Sequence, residues 1–219
     1  MKKNWIISIL LVMSVLILIS GCCTPPKISS VSANLKIPQH TNTWCWAAST
    51  EMITDYYSHR VLQCDSSKYV HSNPSDCSKG CPSYCSCWNV CGATIPEIKN
   101  NWSHWKFNYA YVNSSLVWDK LKETISTSPG CARSPIQVIW WWTLGGGHVV
   151  TAYGYAEAGG EKYIAYYNPW SPDCTAPDKK CNSVTTPGGE DSVSTYDAFV
   201  SDAAHTWGDS FYNFKYTGP

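Results

Sequence analysis

An amide bond can be opened by a thiol, an imidazole that takes the thiol's proton, and a carboxamide that orients the imidazole. The chain holds such a set in order. Cys45 lies between Trp44 and Trp46 where a helix is predicted to begin, so the positive end of the helix dipole favours its thiolate. His148 follows Gly145, Gly146 and Gly147, whose missing side chains leave room for a peptide to approach. Asn168 ends the next strand-like run, just before Pro169. Gln39 stands six residues before Cys45 on the loop entering the helix, where its amide and the Cys45 backbone N–H are candidate donors to an oxyanion. The chemistry predicted is acyl transfer: Cys45 as nucleophile, His148 as base, Asn168 as orienter and Gln39 as oxyanion donor. A thiolate–imidazolium pair is the expected resting state, and with it a bell-shaped pH profile.

These residues need elements to position them. A helix is predicted from Cys45 to about Ser58, with Ala48, Met52 and Tyr56 on one face and Glu51 and Asp55 elsewhere. Thr94 and Glu97 make a capping-box pattern, with Pro96 in the first turn, opening a short helix toward Trp102. Trp118, Leu121 and Ile125 mark the apolar face of another. After Pro129-Gly130 the character changes. Ile136 to Trp142, His148 to Tyr155 and Lys162 to Tyr167 read as strands, with Ala158-Gly159-Gly160 turning between the last two. Folding that hairpin sets His148 opposite a residue within about three positions of Asn168, a gap an imidazole and a carboxamide can close. Trp140, Trp141 and Trp142 alternate along the first strand, so Trp141 faces away from its neighbours, and an exposed member is a candidate subsite wall. A short helix from Tyr196 to Ala203 and a strand from Ser210 to Tyr216 close the chain. Helices first and strands after is α+β logic.

The pattern Gln39-x5-Cys45-Trp46-Ala47-x-Ser49, Gly147-His148 and Asn168-x-Trp170 resembles the papain-like cysteine peptidase superfamily. It is most similar to a short bacterial branch that includes plant-pathogen effector proteases. The resemblance implies a two-lobe fold over residues 37–219. A helical lobe at 37–130 would face a C-terminal antiparallel β lobe at 131–219 across the active-site cleft. It also implies the four roles already named, with Trp170 shielding the His–Asn pair from water, and with Trp46, Gly146, Gly147 and Trp170 on the substrate side. The match spans residues 37 to about 170. Two departures stand out: Asn42 occupies the place where plant-type members have a cysteine, and Cys45 and His148 are only 103 residues apart, against about 130–150 in that signature. The loops that shape the substrate groove are therefore trimmed or replaced by the cysteine-rich segment.

The N-terminus reads as an address. Lys2 and Lys3 precede an apolar stretch from Trp5 to Ile19, shorter than the roughly 20 residues of a membrane-spanning helix. Ile19-Ser20-Gly21-Cys22 is similar to the lipobox of bacterial lipoproteins, so residues 1–21 are expected to be a signal peptide and Cys22 the lipidated residue. A plain secretory cleavage site is the rival. Residues 22–36, with Pro25 and Pro26, read as a tether too short for an inhibitory pro-segment. The expected location is the bacterial cell envelope, facing the periplasm or the cell surface.

Removing Lys2 and Lys3 leaves 14 basic against 16 acidic residues. With no basic block, nucleic acid has no electrostatic case as a partner. The expected partners are a polypeptide substrate and, through the lipid, a membrane, with the protein a monomer. No cofactor or metal is implied. Cys64, Cys77, Cys81, Cys85, Cys87 and Cys91 crowd into a stapled loop at 64–91, and Cys174 and Cys181 bracket an Ala-Pro-Asp turn. In an exported chain these are disulfide candidates of undetermined connectivity; a zinc knuckle is the rival, but the paired C-x-x-C spacing is absent.

Two other functional readings compete with peptide or isopeptide hydrolysis. One keeps the acyl-enzyme and makes it a transamidase or a cell-wall amidase. The other is a non-catalytic surface-binding lipoprotein, which a Cys45 consumed in a disulfide would favour. His205 is a second candidate base, without an evident strand partner.

Overall fold

A computed structural model describes residues 22–31, 36–40, 43–71, 92–170 and 189–219. Residues 1–21, read as a signal peptide, Asn42, and Cys77, Cys81, Cys85, Cys87, Cys91, Cys174 and Cys181 lie outside the described residues. The described chain is α+β. Five helices, α1 (Cys45–Tyr56), α2 (Gln63–Val70), α3 (Ile95–His104), α4 (Trp118–Ile125) and α5 (Tyr196–Val200), accompany seven strands. These are β1 (Ile28–Ser30), β2 (Phe107–Val112), β3 (Ile136–Trp142), β4 (Gly147–Ala158), β5 (Glu161–Asn168), β6 (Glu190–Thr195) and β7 (His205–Tyr216). All pair antiparallel in one sheet of order β2-β7-β3-β4-β5-β6, with β1 added to β4.

Strands β3 to β5 arise where β-branched and aromatic runs predict them, and Gly159 and Gly160 make the β4–β5 turn with positive φ. At the start of α3 the Glu97 carboxylate accepts both the Thr94 N–H (2.7 Å) and its hydroxyl (2.8 Å). Helix α1 is buried from Cys45 through Thr54. It gives Ala48 and Met52 to one apolar cluster with Val138, Trp140 and Val150, and Ala47 and Ile53 to a second with Ile139, Val149 and Phe211. Glu51, expected away from the core, is therefore buried too, and Arg60 (2.7 Å) and Gln63 (3.1 Å) answer its charge.

Several elements depart from expectation. The stretch read as a stapled loop begins as α2, with Cys64 on that helix and disulfide-bonded. Its first N–H is taken by the Glu51 carboxylate (3.3 Å), a tertiary partner that no local pattern discloses. Strand β2 falls in the half assigned to helices, and the alternation Phe107, Tyr109, Tyr111 carried its signal. Strands β1 and β6 are short and polar at the sheet margin, without an apolar period to announce them. Helix α5 stops at Val200 and β7 starts early, at His205, because Asp202 caps the intervening turn by accepting from Ala204 N–H and His205 N–H.

The stretch read as a tether is fastened to the body through its described residues 23–31. Cys23 is bonded to Cys131, a cysteine the sequence reading left out. Tyr155 hydroxyl donates to the Pro26 carbonyl (3.1 Å), Glu157 N–H to the Lys27 carbonyl (2.7 Å), and β1 pairs through Ser29↔Tyr155. The disulfide spans 108 residues, so replacing Cys131 by Ser is expected to cost about 2–4 kcal/mol of stability, read as a lower urea midpoint under oxidising conditions.

Candidate active site

Helix α1 carries Cys45 at its first position, as a free and buried thiol. A disulfide there would have favoured the non-catalytic reading, and the Cys45 thiol is free of one. Strand β4 approaches from the sheet so that the Val149 N–H reaches the sulfur, joined by the N–H groups of Trp46 and Cys45 itself. These donors and the helix end favour the thiolate. Burial opposes them and wins, pushing the thiol up to about 11.

His148 begins the apolar part of β4 and is buried. The register Thr151↔Tyr167 extrapolates to His148 opposite Trp170, which puts Asn168 on the diagonal. There Asn168 Oδ1 meets His148 Nε2 at 2.7 Å. The same oxygen accepts the Trp170 N–H at 3.1 Å, which fixes the orientation of the amide. Its imidazole partner must then be a donor, so the hydrogen-bond network assigns the proton to Nε2 and leaves Nδ1 a free lone pair. Rings enclose the imidazole. Trp142 stacks at 5.8 Å, Trp170 meets it edge-on at 5.7 Å, and Trp140 lies 6.2 Å away. In this apolar shell burial drives the imidazole down to about 4, against the Asn168 bond and with the His205 charge.

An ion pair is the expectation from the sequence, and burial works against it, raising the thiol and lowering the imidazole. Both partners are held in their neutral forms, because neither the three N–H donors nor the single carboxamide bond offsets desolvation. A neutral imidazole with its lone pair at Nδ1 is the form that accepts a proton.

Cys45, Trp46, Gly146, Gly147, His148 and Trp170 line one cleft of about 410 Å³. Ile95 and Ile98 of α3 form part of its wall with Ile139 and Trp141 of β3. No lysine, arginine, aspartate or glutamate is on the described lining. Trp141, which the alternation singled out, is exposed, and so is Trp142, while Trp140 is buried. The Trp141 indole N–H donates to Asp209 (2.8 Å), and its ring covers Gly147, where a Cβ would come within 3.0 Å. Asn168 and Gln39 stand off the lining. Asn168 acts on the cleft through His148, while Gln39 is fully buried with its backbone N–H on the Pro169 carbonyl (2.9 Å), beside the end of β5. His205 does find a strand partner, Trp142 of β3, but is committed elsewhere, Nδ1 to Asp202 (2.9 Å) and Nε2 to the Phe199 carbonyl (3.2 Å). A larger groove of about 580 Å³ runs past Cys23, Cys131, Lys120 and Lys215 and holds neither Cys45 nor His148. Among the described residues no three His, Cys, Asp or Glu side chains gather as a metal site.

The charge state can be measured. The imidazole is neutral above about pH 4 and the thiol neutral below about pH 11. Thiolate absorbance at 240 nm, taken as the difference from Cys45→Ala, should stay flat from about pH 3 to about 9. A step near pH 4 would instead report the ion pair.

No curated protein matches the chain. The model of the Peptidase_C39 like family matches residues 35–204, which takes in Gln39, Cys45, His148 and Asn168 and most of the chain. The chain therefore belongs to the Peptidase_C39 like family, a family of cysteine peptidases.

Proposed function

We propose that the protein is an exported, lipid-anchored cysteine peptidase with a papain-like division of roles, hydrolysing peptide or isopeptide bonds through a thioester acyl-enzyme. The observation that carries this reading is the free Cys45 thiol at a helix start, sharing a cleft with an imidazole steered by Asn168. Residues of helices α1 and α3 and of strands β3 and β4 all line the cleft, in keeping with a site where helical and β parts meet.

In the first step His148 Nδ1 takes the Cys45 proton as sulfur attacks the substrate carbonyl. The imidazolium forms only then, stabilised by Nε2–H donating to Asn168. Negative charge passes to the carbonyl oxygen, where the Cys45 N–H and the Gln39 amide serve as donors. Collapse gives the imidazolium proton to the leaving amine and leaves a thioester on Cys45. Water, deprotonated by His148, attacks the thioester carbonyl and releases the acid. The cleft's uncharged apolar walls suit a neutral, apolar stretch of polypeptide.

Cys45→Ala should abolish both turnover and labelling by iodoacetamide or an epoxide probe. A variant that still labels as wild type would move the nucleophile to another thiol.

Acylation of Cys22 would have a geometric consequence. A free tether over residues 23–36 has a root-mean-square reach of about 20 Å. With Cys23 bonded to Cys131 the acylated residue lies next to a fixed point of the body. The enzyme would thus rest against the bilayer and work on polypeptides presented at its surface. Cys22→Ser should move the protein from the membrane to the soluble fraction while leaving kcat on a soluble peptide unchanged, and intact mass should show the loss of acyl chains. Retention at the membrane by the variant would reject the anchor.

A further inference from the structure

Gln39 is asked to hold an oxyanion, and a donor of that kind works only if its position is settled before the charge appears. Its own segment, residues 36–40, belongs to no helix or strand, so what holds it still must come from outside. On one side the Gln39 N–H bonds to the Pro169 carbonyl (2.9 Å). On the other, Gln63 takes hold of both neighbours at once. Its Oε1 accepts the His40 N–H (2.9 Å), and its Nε2 donates to the Pro38 carbonyl (3.0 Å).

Gln63 is itself fixed. It is fully buried at the first position of α2, and its Nε2 and backbone N–H both reach Glu51 Oε2, at 3.1 and 3.3 Å. The other carboxylate oxygen, Oε1, takes Arg60 through Nε (2.8 Å) and Nη2 (2.7 Å). Glu51 lies on α1, the helix that begins with Cys45. A chain of hydrogen bonds thus runs from the nucleophile's helix through Glu51 and Gln63 to the backbone on either side of Gln39. A carboxamide suits this place, because it offers a donor and an acceptor about 2.2 Å apart to a backbone carbonyl and a backbone N–H.

We propose that Gln63, held by Glu51 and Arg60, is a positioning residue for the oxyanion site: it clamps residues 38 and 40 so that Gln39 presents its amide to the intermediate. This rests on the reading of Gln39 as the oxyanion donor. The clamp acts on the transition state, so its loss lowers kcat more than it raises KM.

The test is a double-mutant cycle on the full-length enzyme with a soluble peptide substrate. Gln39→Ala should lower kcat by about 10²–10³-fold, as for other oxyanion donors. Gln63→Ala should lower kcat by about 10–100-fold with KM changed less than about threefold, and in the Gln39→Ala background it should have less than about a threefold further effect. Gln63→Met, which keeps the side chain's length without its hydrogen bonds, should reproduce that pattern and covers a collapse of the Ala variant. Iodoacetamide labelling of Cys45 at the wild-type rate checks that the nucleophile's surroundings are intact.

A Gln63 effect of equal size with and without Gln39 would overturn the clamp and mark a general structural role. So would wild-type kcat in both Gln63 variants. Wild-type kcat in Gln39→Ala would reject the oxyanion assignment on which the clamp depends, an outcome distinct from failure of the clamp alone.

Discussion

A helix enclosed on every side must find partners within the protein for each polar group it carries, and α1 is such a helix. Ser49 reaches Thr151 (2.8 Å), Thr50 and Thr54 bond back to carbonyls of their own helix, and Glu51 is met by Arg60 and Gln63. Those bonds tie the helix to β4 and to the loops about it. They also place its first residue, Cys45, inside the protein and against the strand that carries His148. The site follows from that enclosure.

The same enclosure decides the electrostatics. Near a helix start in water, the dipole and a neighbouring histidine would draw the thiol toward its anion. Here sulfur and imidazole are both buried, and indole rings surround the imidazole. Desolvation raises one acid and weakens the other, and each group rests uncharged. In the proposed mechanism charge is created only as sulfur attacks, when Asn168 accepts from the new imidazolium and backbone N–H groups face the new anion. The indole rings packed about the imidazole contribute to the burial that makes its charged form costly.

Local chemistry carried much of this into view. The β-branched and aromatic run at Ile136–Trp142, the glycine turn at 159–160 and the Thr94–Glu97 pair each depend on neighbours in sequence, and each forms where its residues predict. The meeting of His148 with Asn168 was legible to within a few positions for the same reason, since the turn sets the hairpin register and a bulge between Ala152 and Gly154 shifts it by only one residue. Strand β2 escaped notice although Phe107, Tyr109 and Tyr111 announced it. Helix α2 and strand β1 carried no such announcement, because a distant carboxylate starts the first and pairing with β4 makes the second.

Residue type and spacing by themselves determined which groups can do chemistry: a thiol before a helix, an imidazole after glycines, an amide at the end of the next strand. Covalent order and short-range geometry suffice for that. Tertiary structure alone decided how burial shifts those groups, the joining of Cys23 to Cys131, and the grip of Gln63 on the backbone beside Gln39. Each depends on which atoms exclude water or come within bonding distance after folding, and residues far apart in the chain settle that together.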